Sequence, residues 1–254
     1  MASGAGYGVA SMPGVDEGDP PATVESESLT GRLGCTEVTV DAHCIPAGES
    51  LVLPRGRERL VVPISSVESP ALGGTLPLAS RSVGHVPADH RWRMAADTDS
   101  VVLEIGTNDD AGAGDPASVD LTATEFAVPD TSDVATAHLS AVLGCAGLKA
   151  NARRLQPGQA VPLHTEGTQE EVFVPLDDGG AMRIGDETIP TPRGTVVHVA
   201  PATPRSAQTD GDTATLWLMV GAPPTGGPTD WDPGATILEG SDETSTVQTD
   251  RGER

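Results

Sequence analysis

The stretch "LHTEGTQEEVFVPL", residues 163–176, holds the residues of this chain whose types and spacing could do chemistry. His164, Glu166 and Glu171 offer one imidazole and two carboxylates. Such a set can hold Mn, Fe, Ni or Co, with water completing the shell. A set this acidic also suits a harder cation. Positions i and i+2 of a strand face the same side, so His164 and Glu166 point together. Glu171 returns on the next strand, after a turn at Gly167. Glu170 alternates with Glu171 and is expected to face outward as a solvated charge. A solvent-facing cluster of glutamates that holds nothing is the plain alternative.

The elements that must position these residues follow from an internal repeat. "LGCTEVTVDAHCIPAGES" (33–50) aligns without a gap on "LGCAGLKANARRLQPGQA" (143–160), and each copy has a glycine at its thirteenth position after cysteine, Gly48 and Gly158. "RERLVVPI" (57–64) then matches "QEEVFVPL" (169–176), and "GHVPADHR" (84–91) resembles "VHVAPATPR" (197–205). Both copies close on an apolar run, "SVVLEIG" and "TATLWLMVG". Short runs of Val, Leu, Ile and Thr are cut by Pro, Gly and Asp-rich turns, the pattern of strands. The 22 prolines and 30 glycines oppose long helices. Many short, evenly spaced strands suggest an all-β barrel or sandwich.

On these residues the second copy resembles the cupin superfamily of small jelly-roll barrels. Cupins carry a first motif G-x5-H-x-H-x3–4-E-x6-G and a second, G-x5-P-x-G-x2-H-x3-N. Gly158 and five residues lead to His164, Glu166 stands in place of the second histidine, Glu171 matches the glutamate, and Gly179 or Gly180 closes the motif. Gly185, Pro192 and Gly194 fit the second motif. By that match "VVHVAPATPR" (196–205) puts Arg205 at the final histidine position. The pattern is most similar to haloarchaeal cupin-domain proteins of uncharacterised function. The resemblance covers about 80 residues strongly and, through the repeat, the first copy weakly.

The resemblance implies two tandem cupin-type jelly-roll β-barrels with disordered acidic termini. The expected boundaries are a disordered segment 1–28, a degenerate barrel 29–107, a linker and connecting strand 108–138, a second barrel 139–238 and a disordered tail 239–254. The side bearing His164 and Glu166 would be the barrel interior. Arg205 stays protonated and cannot ligate a metal. It would either clamp a ligand carboxylate or phosphate through its bidentate fork, or pair with Glu171 or Glu166 in place of the metal. In the first copy Arg59 matches Glu171, Arg91 matches Arg205, and no histidine matches His164, which implies a metal-free barrel. Arg55, Arg57, Arg59 and Arg91 would there line an anion pocket or serve as surface partners for acids.

Other candidates are weaker. His85 and His198 fall at equivalent places, and His198 is expected outside the barrel cavity, at the contact between barrels. His90, beside Arg91, has no companion ligands. His43 and His138 carry no pattern. Trp92, Trp217 and Trp231 are expected in the core or at barrel contacts. Cys35, Cys44 and Cys145 make an odd, widely spaced set that argues against a disulfide framework and fits small core thiols in a reduced cytoplasm. No Gly-x-Ser-x-Gly elbow, Walker loop or dinucleotide fingerprint occurs.

These readings converge on a cytoplasmic, small-molecule-binding bicupin. One divalent metal (Mn, Fe, Ni, Co or Zn) would sit on His164, Glu166 and Glu171, with Arg205 on a small anionic or sugar-like ligand. The alternatives are a metal-dependent dioxygenase, isomerase or decarboxylase of a small acid or sugar, and a metal-free structural or sensory bicupin. A scaffold of this kind hosts all three. Monomer and homodimer are both compatible.

Composition sets the outer bounds. The 254 residues carry 37 Asp and Glu against 15 Lys and Arg, a net charge of −22. Of the 15 basic residues only Lys149 is a lysine. Nucleic acids and anionic membranes are poor partners for such a chain, and 2% aromatic content argues against base stacking. No run approaches the length of a membrane span, and the first residues lack the basic and apolar regions of a secretion signal. Dispersed negative charge opposes compaction in dilute buffer and is screened near 1 M salt, where the Debye length is about 3 Å. The near absence of lysine fits a halophilic cytoplasm. The thermal midpoint is therefore expected to rise between about 0.1 M and about 1 M KCl; a flat or falling midpoint in differential scanning fluorimetry would contradict this.

Overall fold

The computed structural model describes residues 3–4, 6–13, 21–64, 72–73, 78–107, 112–129, 132–227, 229–230 and 232–239. In the first half the elements are β1 (Ser3–Gly4), β2 (Tyr7–Ser11), β3 (Glu25–Ser28), α1 (Thr30–Leu33), β4 (Val38–Ile45), β5 (Ser50–Leu53), β6 (Arg59–Pro63), β7 (Leu72–Gly73), β8 (Ser82–Val86), β9 (Trp92–Ala96) and β10 (Ser100–Thr107). The second half continues with β11 (Ala117–Asp120), β12 (Ala135–His138), α2 (Leu139–Leu143), β13 (Lys149–Leu155), β14 (Leu163–Thr165), β15 (Glu170–Pro175), β16 (Gly180–Ile184), β17 (Glu187–Pro190), β18 (Thr195–Val199), β19 (Arg205–Thr209), β20 (Thr215–Ala222) and β21 (Thr236–Glu239). No helix among the described residues is long and apolar enough to cross a membrane.

The repeat becomes two barrels, each with a larger and a smaller sheet. The larger sheets run β1-β2-β18-β15-β20-β13-β12 and β11-β8-β6-β10-β4-β3. The first strand of each half leaves home. β2 pairs with β18 in the second barrel, and β11 pairs with β8 in the first. Residues 7–11 and 25–28 are strands within the segment expected to be disordered, and β11 lies within the stretch expected to hold a linker and a connecting strand. Their apolar content is too low to announce a strand, because β2 gains its stability from pairing with the distant β18.

Strand alternation divides the buried side chains into three clusters among the described residues. Leu60, Val62, Leu103 and Ile105 of the first half meet Val172, Val174, Leu218 and Val220 of the second in a seam between the barrels. Phe173, Trp217, Met182 and Val197 fill the second barrel, and Val61, Trp92, Met94 and Val102 fill the first. Each large sheet therefore buries both faces, which explains its near-continuous apolar runs. Trp92 and Trp217 are core residues as expected; Trp231 lies outside the described residues.

The seam also corrects the expectation for Glu170. It is 3% exposed rather than solvated. Its carboxylate accepts the backbone N–H groups of Thr36, Glu37 and Val38, the Thr36 hydroxyl and His198 Nε2. The repeat supplies the mirror contact: Glu58 accepts Ala146 N–H at 2.8 Å, Gly147 N–H at 2.6 Å and His85 Nε2 at 2.8 Å. Consecutive amides pointing at one anion form a nest. The Leu-Gly-Cys signature builds both nests, because Gly34 and Gly144 end α1 and α2 in the left-handed conformation, at φ 75° and 73°.

Burial alone would raise the Glu170 pKa, but the His198 and amide contacts overcome it and hold the group at about 2 against an ordinary 4.5. That difference corresponds to about 3 kcal/mol. The sign is that of a depressed acid: the contribution is complete above pH 4.5 and is lost as pH falls towards 2. Glu170→Gln is expected to cost about 3 kcal/mol at pH 7 in urea unfolding and to make the decline in stability between pH 4.5 and 2 shallower. The decline would not vanish, because Glu104 is also held at about 2. An unchanged acid limb would contradict the nest.

Candidate functional site

β14 and β15 bring the three sequence-predicted ligands together. His164 and Glu166 follow the strand parity of β14 into the second barrel, and Glu171 enters from β15 beside Phe173. Glu170 and Glu171 are adjacent in sequence and point to opposite faces, one to the seam and one to the cavity. The nearest donor atoms of His164, Glu166 and Glu171 all lie within 4.8 Å of one another. His164 Nε2 is 3.4 Å from Glu166 Oε1 and 3.7 Å from Glu171 Oε2. Those distances are long for hydrogen bonds. Two ligands each about 2.1 Å from a metal lie about 3.0–3.4 Å apart, so the first distance suits donors around one ion and the second needs a closing of a few tenths of an ångström.

Two further observations test whether the residues fit a metal. His164 Nδ1 lies 2.7 Å from the Pro162 carbonyl. A carbonyl only accepts, so Nδ1 carries a proton and the ring is fixed with its Nε2 towards the carboxylates. Glu166 Oε2 and Glu171 Oε2 are buried without a hydrogen-bond partner. Buried carboxylate oxygens without a hydrogen bond are costly, and a cation would satisfy them. The donor set fits.

The surroundings are charged on both sides. Arg205 is fully buried, and its Nε is 3.4 Å from Glu171 Oε2. Its terminal nitrogens are committed to the turn after β18: Nη1 donates to Pro201 O, and Nη2 to Val199 O and Ala200 O. The fork expected to clamp a ligand is thus turned onto backbone carbonyls, and only the Nε edge faces the carboxylates. Burial lowers the pKa values of Arg153 and Lys149, on the inward side of β13, while the field of Glu166 and Glu171 opposes it. Asp232, from the chain beyond β20, accepts Gly167 N–H at 2.9 Å. Burial works against the charged His164, yet the two carboxylates prevail and raise its pKa. Desolvation raises Glu166; for Glu171 desolvation is outweighed by His164, Arg205 and Arg153, and its pKa falls.

The architecture matches known structures. A Cupin 2 conserved barrel domain protein from Leptotrichia buccalis superposes with a TM-score of 0.59 at 11% identity, covering 80% of this chain and 91% of that one. An oxalate decarboxylase of Bacillus subtilis, described with Mn(II) centers, gives 0.63 at 10% identity over 91% of this chain and 79% of its own. A putative glyoxylate induced protein from Pseudomonas aeruginosa gives 0.65 at 12% identity over 86% and 88%. The chain has the two-barrel cupin fold. No family model and no curated protein matches the sequence, so these cupin structures speak to fold alone.

The first cupin barrel has filled the corresponding place with its own ions. Arg59, opposite Glu171 in the repeat, donates to Glu104 Oε1 at 2.8 Å, and Arg57 donates to Glu104 at 2.7 Å and to Asp41 at 2.6 Å. His43 adds a contact to Glu104 at 3.1 Å. Arg55 and Arg91 are exposed. The four arginines do not converge on an anion pocket, because the buried Arg59 and the half-buried Arg57 are neutralised from within.

Two other clusters combine a thiol, an imidazole and a carboxylate: Cys35, Glu170 and His198, and Glu58, His85 and Cys145. They fail the test that the cavity passes. Their carboxylates already hold amide donors, and burial together with those carboxylates pushes both thiols up to about 12. His198 thus sits at the seam, and His90 pairs at the surface with Asp89. Sequence reasoning missed Lys149, Arg153 and Asp232, which fall outside the cupin motifs; the chain's single buried lysine was the available signal.

Arg205→Ala would leave three turn carbonyls without their donor and the Glu171 charge without its neighbour. The expected cost is about 3–5 kcal/mol in urea unfolding. Arg205→Lys would recover little of it, because one ammonium cannot reproduce the spread of a guanidinium. A change below about 1 kcal/mol would contradict the structural role assigned to Arg205.

Proposed function

We propose that the C-terminal cupin barrel holds one divalent metal on His164, Glu166 and Glu171 and presents it to a small anionic ligand. The observation that carries this reading is the convergence of His164 Nε2 and two carboxylates, each with a buried oxygen that no hydrogen bond satisfies.

Charge balance favours an anionic ligand. Around His164 stand three carboxylates, Glu166, Glu171 and Asp232, and three cations, Lys149, Arg153 and Arg205. They cancel before any metal is counted. A dication brings two further charges into a buried place, and a small dianion such as oxalate would neutralise them. Bound there, the metal would act as a Lewis acid on a ligand oxygen. Glu171 is steadied by the Arg205 Nε edge, and the Pro162 carbonyl fixes the His164 ring. Catalysis on a small acid, as decarboxylase, isomerase or dioxygenase, is the second reading; it draws support from the oxalate decarboxylase among the structural neighbours. The proposed setting is a salt-rich, reducing cytoplasm, consistent with three free cysteines and the acidic composition. A monomer already pairs its barrels.

Elemental analysis of the full chain, purified without a His-tag in about 2 M KCl, tests the proposal. Wild type is expected to carry about one Mn, Fe, Ni, Co or Zn per chain, and His164→Ala none. Oxalate is expected to tighten metal retention in wild type. Absence of metal even after anaerobic reconstitution would favour the internal ion pair between Arg205 and Glu171 and defeat this reading.

A further inference from the structure

We propose that the described residues between Pro223 and Glu239 form a strap that gates this site, latched by Lys149 and Asp232. The inference deepens the metal reading and rests on it for what passes the gate.

The described strap residues are 223–227, 229–230 and 232–239. They end in β21, an edge strand paired with β14, so that His164 lies between Ile237 on one side and Arg205 on the other. Every residue of β21 is exposed, and among the described strap residues only Asp232 is buried. The strap therefore contributes cover rather than core. Beneath it, His164 and Glu166 are 3% and 6% exposed. A hydrated cation or a carboxylate ligand cannot reach them while the cover is down.

The attachments are polar and local. Lys149 Nζ reaches up from β13 and donates to Thr225 O at 2.8 Å and to Asp230 O. Asp232 Oδ2 accepts Gly167 N–H, and Oδ1 accepts Gly234 N–H at 2.8 Å. Gln169 Nε2 donates to Pro223 O at 3.1 Å. Where the strap crosses the β14–β15 turn, backbone meets backbone: a Cβ on Gly234 would fall 2.8 Å from Gly167 Cα. Besides these part-buried hydrogen bonds the strap has the β14–β21 pairing and an exposed Arg183–Glu239 ion pair at 2.6 Å, and a segment with so little apolar burial belongs to the less stable part of a fold and opens early. Lys149 and Asp232 thus act as positioning residues. They set the cover over the ligands from the two sides of the mouth.

The single lysine makes the gate measurable. In the full chain an amine-acylating reagent has Lys149 as its one side-chain target, with the α-amine as internal reference. Gly234→Ala adds one methyl at the crossing and removes no polar group; Asp232→Ala removes a latch. Wild-type Lys149 is expected to react at least about 100-fold more slowly than the α-amine, read by peptide mass spectrometry. Gly234→Ala is expected to raise both the Lys149 labelling rate and the rate of Co(II) uptake by the metal-stripped protein about tenfold, with the final metal per chain unchanged. Asp232→Ala should speed labelling in the same direction. Faster labelling without faster uptake would overturn the gate, as would wild-type labelling as fast as the α-amine. If no form takes up metal, the metal reading fails by itself; the latch then stands or falls on labelling, and equal rates in wild type and both variants would overturn it.

Discussion

A carboxylate taken out of water must find donors, and Glu58 and Glu170 each find theirs in the opposite half of the chain. Leaving either unpaired in the seam would cost several kcal/mol. This constraint ties the backbone turns after α1 and α2 to the far barrel. It acts together with the exchanged strands β2 and β11, so that neither half presents a complete surface alone. The thiols of Cys35 and Cys145 sit beside these carboxylates as packing, held protonated by burial.

With the seam fixed, each strand of the large sheets has two duties. Alternate residues of β6 and β15 look into the seam and into a barrel. The seam side is shared between the copies: Glu58 and Glu170, Leu60 and Val172, Val62 and Val174. The barrel side has diverged. Arg59 and Glu104 close the first interior with an ion pair of their own, while the second keeps His164, Glu166 and Glu171 with carboxylate oxygens that no hydrogen bond satisfies. A scaffold held together on its outer face is free to lose a site in one barrel and retain it in the other.

Much of this was legible in the sequence. The ungapped Leu-Gly-Cys copies located both barrels, and the i, i+2 rule placed His164 with Glu166. Arg59, which matches Glu171 in the repeat, is held in an ion pair with Glu104. What failed did so for lack of a partner in view. Glu170 looked like a solvated charge because its donors, Thr36 to Val38, are far away in sequence. Yet both copies keep a glutamate there and a histidine at 85 and 198, and that coincidence marked a shared role. β2 is weakly apolar because a neighbouring sheet, not its own side chains, holds it. Asp232 and Lys149 reach the site from outside the repeat motifs, one on the strap and one at the start of β13. Arg205, at the final histidine position, lies with its Nε 3.4 Å from Glu171, and backbone carbonyls claim its fork.

The most direct measurement is an anomalous difference map from a crystal soaked in Mn(II), recorded at the manganese edge. The account predicts one strong peak in the second barrel, about 2.0–2.2 Å from His164 Nε2 and from carboxylate oxygens of Glu166 and Glu171. No peak there, with Arg205 Nε hydrogen-bonded to Glu171, would contradict it. So would a peak confined to Cys35, Glu170 and His198 at the seam.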